Sequence, residues 1–206
     1  MIFHYPNGKV YHKSQVNAAN PLQQTSTFAN RGMKFEEAIN ESNRYYLNHN
    51  IAVVHKKPTP VQIVQVDYPR RSAAVIKEAY FKEASTTDYN GVYRGYYLDF
   101  EAKVTQNKTS FPLKNFHQHQ IDHMKNCLKQ NGLCFVLLYF SSLKRCFYLD
   151  SEQLVTFWEN QEKKSIRLDE LEKLAIEITL GIAPRVPYLI AVDQFITNKG
   201  GISHGQ

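Results

Sequence analysis

The stretch Tyr97-Leu98-Asp99-Phe100-Glu101-Ala102-Lys103-Val104 alternates polar and apolar residues at period two. That rhythm belongs to a β-strand, with Leu98, Phe100, Ala102 and Val104 facing a core and Glu101 and Lys103 together on the opposite face. Asp88 stands 101 − 88 = 13 residues before Glu101. Thr86 to Tyr93 reads as a second strand, joined to the first near Arg94-Gly95, which places Asp88 beside Glu101. Two carboxylates and an ammonium so arranged can hold a divalent cation and a phosphate at once. The tripeptide alone says little: Glu162-Lys163-Lys164 repeats it within a charged run that has no strand beneath it, and there it reads as solvated surface. For the copy at Glu101 the competing reading is a surface ion pair.

The chain has 206 residues, 43% of them hydrophobic, enough for one domain with a sizeable core. Its formal net charge of +6 favours solubility first and an anionic partner such as nucleic acid second. Cys127, Cys134 and Cys146 are odd in number and lack Cys-x-x-Cys spacing, which argues against a disulfide framework and for a reducing cytoplasm. The longest apolar run, Leu133 to Phe140, is too short to span a membrane, and the N-terminus lacks the apolar core of a signal peptide.

Residues 1–30 are rich in Asn, Gln, Ser and Thr and read as a mobile arm, with Lys9, Lys13 and Arg31 able to touch phosphates. Residues 31–200 form the main domain, and 201–206 a tail. Arg31 to Asn48 has helical spacing; Ile51 to Lys56 and Val61 to Val66 read as strands. The segment 57–85 interrupts the rhythm between core strands and reads as a protruding excursion. Basic residues Lys56, Lys57, Arg70, Arg71, Lys77 and Lys82 are interleaved there with Tyr68, Tyr80 and Phe81. That mixture suits phosphate contacts and base stacking, and equally an ordinary solvated excursion. Asn107 to Leu113 reads as a polar loop carrying Lys108. Asn115 to Gln130 reads as a helix ended by Asn131-Gly132, Leu133 to Phe140 and Arg145 to Leu149 as strands, Leu168 to Ile178 as a helix and Tyr188 to Val192 as a late strand. Asp150 or Ser151 is placed to cap the helix containing Trp158. The mixed order implies an α/β layered fold around a mixed sheet.

Phosphodiester hydrolysis by water uses a metal to supply hydroxide and to neutralise charge in the transition state. Mg²⁺ takes hard oxygen ligands and keeps several waters. Asp88 and Glu101 supply carboxylates, and Thr86, two residues before Asp88, shares its face if the strand is regular. Lys103 can orient the water or stabilise developing negative charge. His117-Gln118-His119-Gln120-Ile121-Asp122-His123 puts His119 and His123 one turn apart. A zinc-protease box would need Glu where Gln120 stands, so this segment reads as a polar helix face.

Asp88 with Glu101-Ala102-Lys103 on adjacent strands resembles the PD-(D/E)xK nuclease superfamily. Ala29-Asn30-Arg31-Gly32-Met33-Lys34-Phe35-Glu36-Glu37, Thr86-Thr87-Asp88-Tyr89-Asn90-Gly91, Phe100-Glu101-Ala102-Lys103 and Phe116-His117-Gln118-His119-Gln120-Ile121-Asp122-His123-Met124 together resemble the RecU family of Holliday junction resolvases, over nearly the whole chain. The resemblance implies a restriction-endonuclease-like mixed β-sheet flanked by helices, with a stalk at about 57–85. It implies a homodimer that makes Mg²⁺-dependent paired nicks in a four-way DNA junction, with Mn²⁺ able to substitute. By its motifs, Thr86, Asp88, Glu101 and Gln120 become the metal ligands, Lys103 the transition-state stabiliser and Glu36 the accessory acid. The superfamily's Pro before the first Asp is replaced by Thr87. The family also implies recombination, DNA repair, chromosome segregation, modulation of the RecA recombinase and a cytoplasmic, nucleoid-associated location. The rival readings are a restriction-type endonuclease on linear duplex and a non-catalytic junction-binding regulator.

Overall fold

A run of eight apolar residues is stable only where both faces of a strand are covered. Leu133–Phe140 occupies such a place, in the interior of a six-stranded sheet. The computed structural model describes residues 2–4, 10–11, 28–67, 74–81, 86–160 and 162–202. The chain divides into two units, Met1–Thr25 with Pro58–Ser85, and Ser26–Lys57 with Thr86–Gln206.

The smaller unit holds β1 (Ile2–His4), β2 (Val10–Tyr11), β4 (Val61–Asp67) and β5 (Val75–Phe81). They form a sheet of order β2-β1-β5-β4, in which β1 runs parallel to β5 and the other pairs are antiparallel. The irregular reading of 1–30 therefore misses two strands, which at three and two residues carry no periodicity. The excursion at 57–85 contains two strands, β4 and β5, which pair with each other.

The larger unit contains α1 (Phe28–Asn48), β3 (Val53–Lys56), β6 (Tyr89–Tyr93), β7 (Tyr96–Thr105), β8 (Ser110–Pro112), α2 (Gln118–Leu128), β9 (Leu133–Phe140), β10 (Arg145–Asp150), α3 (Ser151–Glu159), β11 (Ser165–Arg167), α4 (Leu168–Leu174), β12 (Ile176–Ile178) and α5 (Tyr188–Ile202). Its main sheet has the order β12-β10-β9-β7-β6-β3. Only β7 and β9 pair in parallel, joined through α2 by a crossover; the remaining pairs are antiparallel. The fold is thus a mixed α/β sheet flanked by helices, as the restriction-endonuclease-like reading expects.

Strand alternation divides the core in two. Leu98, Phe100, Phe135, Leu137 and Tyr148 pack with Phe35 and Ile39 of α1 and Tyr188 and Val192 of α5. Cys134, Val136, Leu138, Phe147 and Leu149 pack with Ile121 and Met124 of α2 and Leu154 of α3. Between α1 and the entry to α5, the Ser42 hydroxyl accepts from the Val186 amide at 2.9 Å and the Tyr188 hydroxyl donates to Asn43 at 2.7 Å. At Gly91, opposite Val54, a Cβ would stand 2.2 Å from the Val53 carbonyl oxygen, so only glycine lets β3 approach β6 there.

Several sequence expectations change. Asn107–Leu113 contains β8, paired with β11. The helix predicted over 168–178 ends at Leu174, because Ile176–Ile178 gains ladder bonds to β10. Tyr188–Val192 is the start of a helix rather than a strand; a short apolar run does not distinguish the two. Asp150 is the α3 cap, its carboxylate accepting from the Glu152 amide at 3.0 Å. Among the described residues no helix is long and apolar enough to cross a membrane.

Candidate active site

The polar face of β7 looks toward α2. Asp99, Glu101 and Lys103 lie on it in phase, while Leu98, Phe100 and Ala102 face α1 and α5. Glu101 is 1% exposed. Its Oε2 accepts the Asp88 backbone amide at 3.0 Å, and its Oε1 is 2.8 Å from Lys103 Nζ and 2.7 Å from Gln120 Nε2. Asp88 Oδ2 in turn accepts the Ala102 amide at 3.3 Å. The two carboxylates thus sit side by side across the start of β6 and the middle of β7.

Asp88 lies in a bend just before β6, not within the strand as the Thr86–Tyr93 reading has it. The side-by-side placement survives because the Lys57 amide donates to the Asp88 carbonyl at 2.7 Å, extending the β3 pairing by one bond. The bend removes the regular-strand argument for Thr86, whose hydroxyl donates to the Thr87 carbonyl at 3.4 Å.

Burial, with a further push from the charge of Asp88, drives the Glu101 carboxyl up to about 8 against the pull of Lys103. One ammonium does not compensate two neighbouring carboxylates in a dry site. The Tyr89 hydroxyl, also buried, is raised well above its ordinary value by burial and by the charges of Glu36, Asp88 and Glu101. Its donation to the Glu36 carbonyl at 3.3 Å brings α1 to the same region. The Glu36 carboxylate itself pairs with Lys56.

Gln120 meets Glu101 through its amide nitrogen; its oxygen accepts the His117 amide at 3.1 Å and closes the first turn of α2. In this arrangement it orients Glu101. Lys57 turns inward: its ammonium donates to Asp99 at 2.8 Å and to Thr87 at 3.0 Å. Lys77 pairs with Asp67 at 2.9 Å, the Tyr80 hydroxyl donates to Glu78 at 2.9 Å, Phe81 is half-buried on β5, and Lys108 is exposed. Arg70, Arg71 and Lys82 lie outside the described residues, as does the side chain of Arg31. Glu162 sits in a turn with no strand beneath it.

Sequence reasoning passes over Asp99, which is fully buried. Its Oδ2 accepts from Lys57 and, at 2.7 Å, from the Tyr97 hydroxyl; its Oδ1 accepts from Thr87 and lies 3.2 Å from His123 Nε2. Burial alone would raise this carboxyl, but the hydrogen bonds from Lys57, Thr87 and Tyr97 outweigh it and hold Asp99 below its ordinary value. The available signal was phase: Asp99 falls on the same side of the alternation as Glu101 and Lys103.

The sequence family described as Recombination protein U matches residues 30–194 of this chain. The chain is 57% identical over 206 residues to the Holliday junction resolvase RecU of Lactiplantibacillus plantarum, covering 98% of this chain and 100% of that protein. It is 58% identical over 198 residues to the protein of that name from Geobacillus sp., covering 94% and 98%. With its namesake from Bacillus subtilis it shares 56% identity over 194 residues, covering 92% and 93%.

Proposed function

The chain belongs to the RecU family, and from that premise we propose that it is a divalent-metal-dependent endonuclease that resolves four-way DNA junctions by paired, symmetric nicks. The observation that carries the reading is the Asp88–Glu101 pair: two adjacent carboxylates, one buried and pushed up to about 8, with Lys103 the lysine that pairs with Glu101 among the described residues. Such a donor set fits Mg²⁺, or Mn²⁺ in its place. Asp88 and Glu101 would hold the ion; the family's ligand set adds Thr86 and Gln120, the latter once its side-chain oxygen leaves the His117 amide. When bound, the ion supplies hydroxide from water and neutralises charge at phosphorus.

The chain's own groups do the rest. Gln120 and the Asp88 amide fix the Glu101 carboxylate in place. The Lys103 ammonium stands 2.8 Å from Glu101, where it stabilises charge developing on the phosphate oxygens. Glu36 approaches from α1 as the accessory acid. Water attacks in line at phosphorus, with no covalent enzyme intermediate.

Two copies related by a two-fold axis match the two-fold symmetry of a junction, so the working species is a homodimer. Phosphate contacts from Arg31, Lys56, Arg70, Arg71, Lys77, Lys82 and Lys108 supply affinity, and branch geometry supplies specificity. Residues 57–85 take the stalk's place in the chain, offering Tyr80 and Phe81 to the branch point. The same membership supports roles in recombination, repair and chromosome segregation, contact with RecA, and a cytoplasmic, nucleoid-associated site of action.

The test is incubation of a labelled four-way junction and its separate linear arms with Mg²⁺, then with Ca²⁺. Symmetric nicking of the junction alone, in Mg²⁺ alone, is the expected result. Equal cleavage of the arms would overturn the junction reading in favour of a restriction-type nuclease. Tight junction binding without cleavage would favour a non-catalytic regulator.

A further inference from the structure

Asp99, His123 and Cys127 have no part in the mechanism above, yet their donor atoms converge. His123 and Cys127 are one turn apart on α2, and Asp99 faces them from β7. His123 Nε2 is 3.2 Å from Asp99 Oδ1 and 3.5 Å from Cys127 Sγ, and all three donor atoms lie within 4.8 Å of one another. From this geometry we infer a second metal site, specific for zinc-class divalent ions, with Asp99, His123 and Cys127 as its protein ligands.

Two of the three donor edges match a tetrahedron, and the third, from Asp99 to Cys127, lies within 4.8 Å. With zinc–nitrogen and zinc–oxygen bonds of about 2.0–2.2 Å, the N···O edge of a tetrahedral site is about 3.4 Å. With a zinc–sulfur bond of about 2.3 Å, the S···N edge is about 3.6 Å. These two edges, 3.2 and 3.5 Å, are within a few tenths of those values. A thiolate and an imidazole select zinc, cobalt or a similar borderline-soft ion over Mg²⁺, which takes hard oxygen donors. The site is therefore chemically distinct from the Asp88–Glu101 pair.

The surroundings are already those of a ligated carboxylate. Asp99 would bind through Oδ1, which also accepts from the Thr87 hydroxyl, while Oδ2 stays held by Lys57 at 2.8 Å and Tyr97 at 2.7 Å, the outer-shell pattern that orients a metal-binding carboxylate. On ligation Cys127 releases its thiol proton to solvent, and the thiolate adds a second negative charge beside the carboxylate that Lys57 already pairs with. A hollow of about 560 Å³, lined by Tyr96, Tyr97, Asn126, Cys127 and Gln130 among others, opens onto Cys127. It gives an ion a solvent approach to the Cys127 side of the cluster.

The experiment is titration of the full-length protein with Co²⁺, zinc's spectroscopic stand-in, in excess Mg²⁺ and a thiol-free reductant. The expected result is saturation at about one equivalent, with the intense visible bands of tetrahedral cobalt and a near-ultraviolet thiolate-to-cobalt charge-transfer band, both displaced by Zn²⁺. Cys127→Ser removes the charge-transfer band. Tyr97→Phe, which removes only an outer-shell hydrogen bond, weakens binding about 10–100-fold. Asp88→Asn leaves the spectrum unchanged, so a failure of the nuclease reading does not touch this one. Absence of the charge-transfer band in the unmodified protein overturns the site, whatever the variants do. So does its persistence in Cys127→Ser, or its loss in Asp88→Asn with the fold intact by circular dichroism.

Discussion

Asp99 and Glu101 stand two residues apart on one face of β7, at 0% and 1% exposure. Burial opposes the charge of both. Around Asp99 the opposition is met by Lys57, Thr87 and Tyr97, and the carboxyl is held below its ordinary value. Around Glu101 it is not: Lys103 opposes, Asp88 adds a like charge, and the carboxyl rises to about 8. The difference teaches how to read a buried acid. A compensated carboxylate is held charged and in place, here tying the residue before Asp88 to the main sheet through Thr87 with Oδ1 still directed at His123. An uncompensated pair of carboxylates lacks its balancing charge, which a hard dication such as Mg²⁺ supplies.

The largest effect that could break this comparison is on the chemistry. Asp88→Asn should lower junction nicking on the order of a thousand-fold or more, since a metal supplies several kcal/mol and each 1.36 kcal/mol is tenfold. Junction binding in a gel-shift assay should persist. Asp99→Asn should instead act on stability. Lys57 would keep its charge in a largely buried site without a counter-ion, at a cost of about 3–5 kcal/mol read as a lowered denaturation midpoint. Adding Lys57→Met should restore part of the loss; a further loss would show that Asp99 is not held by charge pairing.

Lys103→Ala tests the cation beside Glu101. Loss of a single transition-state donor costs about 10²–10³ in rate, with junction affinity little changed. A fall in affinity with an unchanged turnover rate would make Lys103 a binding residue only.

How much of this was legible beforehand depends on whether local pattern or distant pairing decides. The alternation of β7, the apolar run of β9 and the Asp150 cap are local, and the sequence displays them. β12 is not: Leu171, Leu174, Ala175 and Ile178 keep helical spacing, but pairing with β10 overrides it from Ile176 onward. The apolar start of α5 fits a strand or a helix equally. In the site, Glu101 and Lys103 are visible as a motif, whereas the state of Asp99 depends on Lys57 and Thr87, which arrive from the end of β3 and the approach to β6. Gln120 was visible by resemblance; its use of the amide nitrogen toward Glu101 and the oxygen for the α2 cap was not.

The smallest effect sharpens the electrostatics. The folded state holds the Glu101 proton up to about pH 8, whereas the unfolded chain releases it near the ordinary 4.5. Between those values the folded state binds more protons, so metal-free stability falls as pH rises through the window and levels off above it. Thermal denaturation in EDTA should show this slope, and Glu101→Gln should flatten it. Asp99 has the opposite sign: its contribution is present above the ordinary carboxylate value and lost as pH falls below it.

The most direct test of the account is Mn²⁺ binding followed by electron paramagnetic resonance, in the unmodified protein, Asp88→Asn and Asp99→Asn. The account predicts that Asp88→Asn abolishes the bound-manganese population while Asp99→Asn, wherever it remains folded, retains it. Binding that survives Asp88→Asn, or that depends on Asp99 alone, would contradict it.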